Sequence, residues 1–105
     1  MVKISWTARS RKDLQEIGEY IAKDSVDYAR LTLEKLIDTA KLIERNSLIG
    51  RIVPEIKQKE IREIITGNYR IIYLLKDKNK AYILTVHHSS RLLSNNPTFK
   101  RKKLL

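Results

Sequence analysis

The sequence predicts an α+β fold in which an antiparallel helical hairpin packs on one face of a mostly antiparallel, twisted sheet. Its 105 residues suit one domain. Between residues 7 and 46 the apolar residues recur at helical spacing, whereas beyond Gly50 they form short runs of the β type. The predicted order is therefore an N-terminal strand, two helices and a sheet, β-αα-βββ.

A first strand is predicted at residues 2–6, where apolar and polar residues alternate, and Trp6 is expected in the core. Thr7 and Ser25 suit the N-caps of two helices, because a short hydroxyl side chain accepts a hydrogen bond from a free N–H of the first turn. The helices are marked by apolar residues at helical spacing: Leu14, Ile17 and Ile21 in the first, and Ala29, Leu33, Leu36, Ile37, Ala40 and Ile43 in the second. The short break at Asp24-Ser25 predicts an antiparallel hairpin.

Four β-type runs follow, at residues 51–56, 61–66, 69–75 and 81–88. Gly67-Asn68 suits a two-residue hairpin turn. Such a turn pairs Ile65 with Arg70, so that Arg70 shares a sheet face with Glu63 and Arg62 points the other way.

The two faces of this sheet have different expected roles, since one packs on the helices and the other is expected to be free. An arginine on a free face suits phosphate, because its planar fork matches a pair of phosphate oxygens. The turn at residues 77–79 decides which histidine joins Arg70. A three-residue loop puts His88 on that face, and a four-residue loop puts His87 there.

Positive charge is concentrated in the second half of the chain. The net charge is +10, yet residues 7–46 hold eight basic and eight acidic residues, whereas residues 47–105 hold thirteen basic and four acidic ones. Such segregation is typical of proteins that bind a polyanion, either nucleic acid or an acidic protein. A basic surface kept for solubility is the alternative.

Several classes of protein are disfavoured by composition. The chain has no cysteine, which removes disulfide and thiolate chemistry, and its two histidines have no acidic cluster nearby. The N-terminal residues lack the apolar run of a secretory signal, and no stretch approaches the ~20 apolar residues of a membrane span. We expect a cytoplasmic protein with no metal, no cofactor and no membrane contact.

Seven short motifs follow one another along the chain: Trp6-Thr7, Asp13-Leu14, Tyr20-Ile21-Ala22, GRIVPE (50–55), IREI (61–64), GNYRIIY (67–73) and VHHSSRLL (86–93). Together they resemble the RelE/ParE superfamily of toxins from type II toxin–antitoxin modules. The resemblance implies one toxin domain over residues 1–93, a basic tail over residues 94–105, and a cognate antitoxin as partner. RelE-type members cut mRNA on the ribosome without a metal, whereas ParE-type members inhibit DNA gyrase.

The resemblance also implies site residues. The arginine of the family's YR-x-x-Y stretch falls on Arg70, and the basic residue near the end of the last strand falls on His88 or Arg91. The glutamate that follows the loop proline falls on Glu55. Two features depart from the RelE pattern: Ile61 and Glu63 replace lysines, and the helical hairpin is long, as in ParE.

Metal-free RNA cleavage needs a base for the 2′-hydroxyl, a cation for the charged phosphorane and an acid for the 5′-oxygen. Glu55, Arg70 and His88 offer these three roles, and a histidine titrates near neutrality, as the acid role requires. The structural alternatives are an ion pair of Glu55 with Arg51 or Arg62, and one of Arg70 with Glu63.

The candidate binding residues are Arg51, Arg62, Arg91, Tyr73, Lys100 and Arg101. A base could stack on Tyr73, although core packing is the alternative. Lys100 and Arg101 belong to the basic tail, which is either a short helix or disordered.

We therefore expect a growth-inhibiting toxin that acts as a metal-free, ribosome-dependent endoribonuclease on mRNA. The alternative is a non-enzymatic, ParE-like inhibitor of DNA gyrase. A third, less specific possibility is a basic RNA-binding domain without toxicity.

Overall fold

The computed structural model describes residues 1–100, which form a five-stranded sheet with two long helices on one face. The elements are β1 Lys3–Trp6, α1 Ala8–Ala22, α2 Val26–Arg45, β2 Arg51–Ile52, β3 Ile61–Thr66, β4 Tyr69–Leu75, β5 Lys80–His88, a 3₁₀ turn Leu93–Asn95 and α3 Pro97–Lys100. The strand order is β1-β5-β4-β3-β2. Only the β1–β5 pair is parallel. The predicted fold class is confirmed, and each of the four predicted β-type runs contributes a strand, so that with β1 the sheet has five strands rather than the four written as β-αα-βββ.

Both predicted helix caps are confirmed. The Thr7 hydroxyl oxygen accepts from the Ser10 N–H at 3.1 Å and donates to the Ile83 carbonyl at 2.7 Å, which ties the start of α1 to β5. The Ser25 hydroxyl accepts from the Tyr28 N–H at 3.0 Å at the start of α2. Each cap satisfies an N–H that has no partner within its own helix.

A first core fills the space between the helices and the sheet. Its buried members are Val2, Leu36, Ala40, Ile43, Ile71, Tyr73, Ala81, Ile83 and Val86, and Trp6 packs partly buried against them. Ile37, predicted in the apolar stripe of α2, is exposed, because it lies on the flank of the helix rather than on its inner face. The core therefore includes a narrower stripe of α2 than the sequence predicts.

The second strand is much shorter than predicted, since β2 covers only two residues of the 51–56 run. Pro54 has no N–H to donate to a neighbouring strand, and Lys57 turns the chain with a φ of 60°. The apolar residues Val53 and Ile56 are nevertheless buried. The apolar run therefore reflects a loop packed against the sheet rather than a longer strand.

The β3–β4 hairpin has the predicted register, with Ile65 opposite Arg70 and Thr66 opposite Tyr69. Gly67 adopts a φ of +56°, a conformation that a glycine reaches without the steric cost of a side chain. Arg70 and Glu63 consequently lie on one face of the sheet, as predicted.

A bulge in β5 decides the position of the histidines. The backbone N–H of Lys76 donates to the Lys80 carbonyl, which closes the predicted three-residue loop. The register then shifts between Ile72 and Tyr73, leaving Leu84 of β5 as an extra residue. A one-residue shift moves every later side chain of the strand to the opposite face of the sheet. Arg70 therefore pairs with His87 and shares its face, whereas His88 points to the other face.

The sheet face opposite the helices is covered, so the prediction of a free face is wrong. A second core on this face joins Val53 and Ile56 of the loop after β2, Ile61 and Ile72 of the sheet, and Leu93 and Phe99 of the C-terminal segment. The described part of the predicted tail therefore packs on the domain, while residues 101–105 lie outside the described residues. Within residues 1–100, no helix is long and apolar enough to cross a membrane.

Candidate functional site

Arg70 lies at the centre of a cluster of two arginines and two glutamates on the face opposite the helices. Its Nε donates to Glu63 Oε1 at 2.6 Å, and its Nη1 and Nη2 each donate to a different oxygen of Glu55 at 2.7 Å. Arg51 Nε donates to the other oxygen of Glu63 at 2.7 Å. We call Arg51, Glu55, Glu63 and Arg70 the ion cluster. Its formal charge is zero.

The members of the ion cluster differ in their exposure to water. The side chains of Glu63 and Arg70 are 0% and 10% exposed, whereas those of Glu55 and Arg51 are 41% and 59% exposed. The backbone explains this order, because Glu63 and Arg70 come from the central strands while Glu55 stands on the loop after β2. The cluster thus has an inner pair that fixes its geometry and an outer pair that faces water.

Hydrogen bonds within the cluster stabilise its charged forms. The fork of Arg70 lowers the pKa of Glu55 below its ordinary value of 4.5, more than partial burial raises it. The Glu55 carboxylate likewise raises the pKa of Arg70 further above neutrality. Glu55 and Arg70 therefore both stay charged at neutral pH.

The expectation that Arg70 is exposed for a phosphate is wrong. Nε, Nη1 and Nη2 of Arg70 each donate to a carboxylate oxygen, and the residue is buried. The structural alternative, an Arg70–Glu63 pair, is confirmed. Glu55 pairs with Arg70, and not with the predicted partners Arg51 or Arg62.

His87 shares the face of Arg70 but is held in a second set of buried hydrogen bonds. The Asn96 side-chain amide donates to His87 Nδ1 at 2.9 Å and to the Thr85 hydroxyl at 3.0 Å. His87 Nε2 lies 2.9 Å from the Arg91 carbonyl. Since Nδ1 must accept from the amide, Nε2 carries the proton and donates it to the carbonyl. Both ring nitrogens are occupied.

The same network extends to Asp13 on α1. The Thr85 hydroxyl and the Val86 N–H both donate to Asp13 Oδ2, the second at 3.0 Å. The pairing of β1 with β5 ends at Ile83, so the N–H of Val86 farther along β5 has no strand partner on that side, and Asp13 accepts its hydrogen bond instead. Burial raises the pKa of Asp13 above its ordinary value of 3.8 despite these bonds. We call Asp13, Thr85, His87 and Asn96 the polar network.

His88, the predicted general acid, lies on the helix side of the sheet. Its ring meets that of Tyr69 edge to face with centroids 5.3 Å apart, and its Nδ1 lies 2.7 Å from the Ser90 hydroxyl. Arg70 is on the opposite face. The structure therefore brings Glu55 and Arg70 together but does not bring His88 to them.

The other predicted binding residues divide into structural and exposed groups. Arg62 donates to the Gly50 carbonyl at 2.9 Å and to the Lys59 carbonyl at 3.2 Å. Tyr73 is buried in the first core, where its hydroxyl accepts from the Gly50 N–H and donates to the Ser47 carbonyl, so it cannot stack on a base.

Arg91, in contrast, is exposed. Lys100 ends α3, and Arg101 lies outside the described residues. Of the four predicted binding residues whose side chains the structure describes, Arg51 and Arg91 are the two that are exposed.

A groove beside the ion cluster joins residues that the sequence did not group together. It is lined by Glu55, Arg70, Ser89, Ser90, Arg91, Leu92, Leu93 and Ser94. The run of Ser89, Ser90 and Arg91 directly after β5 was the available signal for it. Among the described residues, no group of three His, Cys, Asp or Glu side chains is placed to hold a metal ion.

Comparisons with known proteins agree with this architecture. Residues 4–93 match the model of the family described as ParE toxin of type II toxin-antitoxin system, parDE. A relative from Sinorhizobium fredii (strain NBRC 101917 / NGR234), named "Putative toxin Y4kP", is 30% identical over 90 residues, which cover 83% of this chain and 88% of the relative.

A solved structure shares the fold. It is a chain from a study titled "Chromosomal ParDE TA system from P. aeruginosa", with a TM-score of 0.68 at 18% identity, covering 84% of this chain and 96% of that one. The family match covers residues 4–93, a range that includes α1, α2 and all five strands except the first residue of β1. The chain therefore belongs to the ParE toxin family of type II toxin–antitoxin systems.

Proposed function

We propose that this toxin arrests growth in the cytoplasm by binding DNA gyrase and that it does not cleave RNA. The closure of Arg70 by two carboxylates is the observation that supports the proposal most. A cation that is to stabilise a phosphorane must be open to the phosphate, whereas both outer nitrogens of Arg70 are bonded to Glu55. Membership of the ParE branch agrees with this choice.

The proton-transfer groups support the same choice. General acid–base catalysis needs a titratable side chain within hydrogen-bond reach of the reacting oxygen. His87 has both ring nitrogens engaged, and His88 is on the opposite face from Arg70. Glu55 is the remaining carboxylate at the groove, and Arg70 lowers its pKa, which weakens it as a base.

The cognate antitoxin is the second partner that we propose. Its acidic groups would cover the positive half of the toxin, since residues 47–105 hold nine more basic than acidic residues. Complementary charges of this kind speed the encounter of two proteins and exclude wrong partners.

Two assays on the purified toxin test the choice of target. We expect it to inhibit the supercoiling of relaxed plasmid by gyrase and to leave mRNA intact on programmed ribosomes. Glu55→Gln should leave mRNA intact as well, because opening Arg70 does not supply the missing acid. The mRNA interferase assigned from sequence is the competing function. Cleavage of ribosome-bound mRNA that Arg70→Lys reduces ~100-fold or more would establish it and overturn the proposal.

A further inference from the structure

We propose that Lys3, Lys76 and Lys80 form a surface that binds the phosphate backbone of duplex DNA. We call these three residues the lysine row. The choice of duplex DNA rests on the proposed function, since gyrase acts on this ligand and holds it beside any bound toxin. The lysine row is remote from the ion cluster: Arg70 stands near the start of β4 and Lys76 directly after its end, a separation of about 20 Å at the rise of an extended strand.

Three neighbouring strands bring the lysine row together at one end of the sheet. Lys3 of β1 lies opposite Lys80 of β5 in the parallel pair. At the end of β4, the backbone N–H of Lys76 donates to the Lys80 carbonyl at 3.0 Å. Because adjacent strands are about 4.8 Å apart, the backbone positions of the three residues lie within about 10 Å of one another.

The lysine row lies on the face of the sheet opposite the helices. Ile4 of β1 and Ala81 of β5 pack in the first core, on the helix side. Side chains alternate along a strand, so Lys3 and Lys80 point to the other face. This face is crowded by the second core only farther along the sheet, and Lys3 and Lys76 are exposed to water.

The ring of Tyr82 positions two of the three charges. Nζ of Lys80 stands 5.2 Å from the ring centroid, and Nζ of Lys76 stands 5.9 Å from it. An ammonium group within about 6 Å of an aromatic face is attracted to the ring and keeps its charge. Because the ring carries these two groups and is half-buried, the surface offers positive charge rather than a place for a base to stack.

Carboxylates do not neutralise the lysine row. Within residues 1–100, none of its three side chains forms an ion pair. The neighbouring loops add to the charge, since the Leu75 N–H donates to the Glu60 carbonyl and so brings residues 57–60 beside residues 76–80. These two segments hold five lysines and two acids, Glu60 and Asp77. An excess of this kind on one surface is typical of proteins that bind a polyanion.

The chemistry of the lysine row favours a duplex over other polyanions. Lysine is a hydrated point charge, and contacts of lysine with phosphates hold a protein on DNA without reading its sequence. Single strands are bound through aromatic side chains that stack on bases, and Tyr82 is not open for this. A protein interface has an apolar or aromatic centre, whereas no large apolar side chain of residues 69–88 is exposed.

The test removes the same amount of charge from two different surfaces. The row variant combines Lys3→Gln, Lys76→Gln and Lys80→Gln. The control variant changes three exposed lysines at the two long helices, which form no ion pair within the described residues: Lys12→Gln, Lys23→Gln and Lys35→Gln. Binding of a short, labelled DNA duplex is measured by fluorescence anisotropy over a range of salt concentrations, and a thermal melt of each variant checks that it is folded.

We expect the row variant to bind the duplex at least about tenfold more weakly than the control variant at low salt. Its salt slope should be smaller by about two to three phosphate contacts, since each lysine that contacts a phosphate contributes about one. Equal binding by the two variants would overturn the proposal, because affinity would then follow net charge alone. No binding of the duplex by the wild type would overturn it as well.

Two other ligands are measured with the same pair of variants. A larger difference between the variants for single-stranded RNA than for the duplex would overturn the proposal in favour of an RNA surface. A larger difference for polyglutamate would overturn it in favour of an acidic protein.

A supercoiling assay connects the lysine row to gyrase. The row variant should need at least about fivefold more protein than the control variant for half-inhibition. Unchanged inhibition by a row variant that has lost duplex binding would overturn the role of the row at gyrase. If the wild type does not inhibit gyrase, the proposed function fails, whereas the anisotropy measurement still decides whether the row binds duplex DNA.

Discussion

The two faces of the sheet are covered in different ways. On one face two long helices, 15 and 20 residues, lie over a core that is almost wholly apolar. On the other face a short loop and the C-terminal segment cover a smaller apolar cluster, and the ion cluster lies beside it. The helix face is therefore stabilised chiefly by burial of apolar surface, and the opposite face depends on charges being paired.

The two ways of covering the sheet lose stability for different reasons. An apolar core loses stability whenever a side chain leaves it. A buried ion pair loses stability when one partner is removed, because the other charge is left unpaired.

The largest effect is expected from breaking the ion cluster at its buried member. Glu63→Gln leaves Arg51 and Arg70 with one carboxylate between them, and loss of one partner from a buried pair costs about 3–5 kcal/mol. Arg51→Gln is the control, because the Arg51 side chain is 59% exposed and its removal leaves buried Glu63 still paired with Arg70, so we expect a loss of about 1 kcal/mol or less. Urea denaturation measures both. Similar losses for the two variants would mean that burial does not set the strength of the cluster.

A smaller effect sharpens the comparison of the two apolar clusters. Leu36 on the helix face and Leu93 on the other are nearly equally buried, at 1% and 2% exposed, and allow the same substitution. Leu36→Ala should cost about 3–4 kcal/mol, near the middle of the range for such changes. Leu93→Ala should cost about 2 kcal/mol, because the thin C-terminal segment can move to fill the cavity. Equal free energies of unfolding would show that both faces are equally rigid.

The sequence predicted the helix face better than the opposite face. Thr7, Ser25 and Gly67 are local signals, since each acts on neighbouring residues, and the caps and the turn they predict are present. The bulge at Leu84 has no such signal: it lies in an apolar stretch without glycine, and it alone decides whether His87 or His88 joins Arg70.

The covering of the opposite face could not be derived either. Val53 and Leu93 are far apart in sequence and come together only in the folded chain, in one apolar cluster on the same face of the sheet. The pairing of Glu55 with Arg70 likewise depends on how the loop after β2 folds back. The sequence identified Glu55 and Arg70 as candidate site residues, but which residues they pair with depends on the tertiary structure.

The smallest effect is a difference in pH dependence between two carboxylates. Arg70 lowers the pKa of Glu55 below 4.5, so the folded protein binds this proton less readily than the unfolded chain does. The contribution of Glu55 to stability is therefore present above about pH 4.5 and is lost as the pH falls through the lowered pKa. Burial raises the pKa of Asp13 above 3.8, so its contribution has the opposite sign, and stability falls as the pH rises through that window.

Unfolding free energies measured between pH 3 and pH 6 for Glu55→Gln, Asp13→Asn and the wild type separate the two groups. We expect Glu55→Gln to lose less stability than the wild type on acidification. The stability of Asp13→Asn relative to that of the wild type should increase as the pH rises. Glu60→Gln is the control for a change of charge alone, because its carboxylate is exposed. If Glu55→Gln and Glu60→Gln followed the same pH profile, the Glu55–Arg70 pair would contribute nothing to the stability of the folded state in solution.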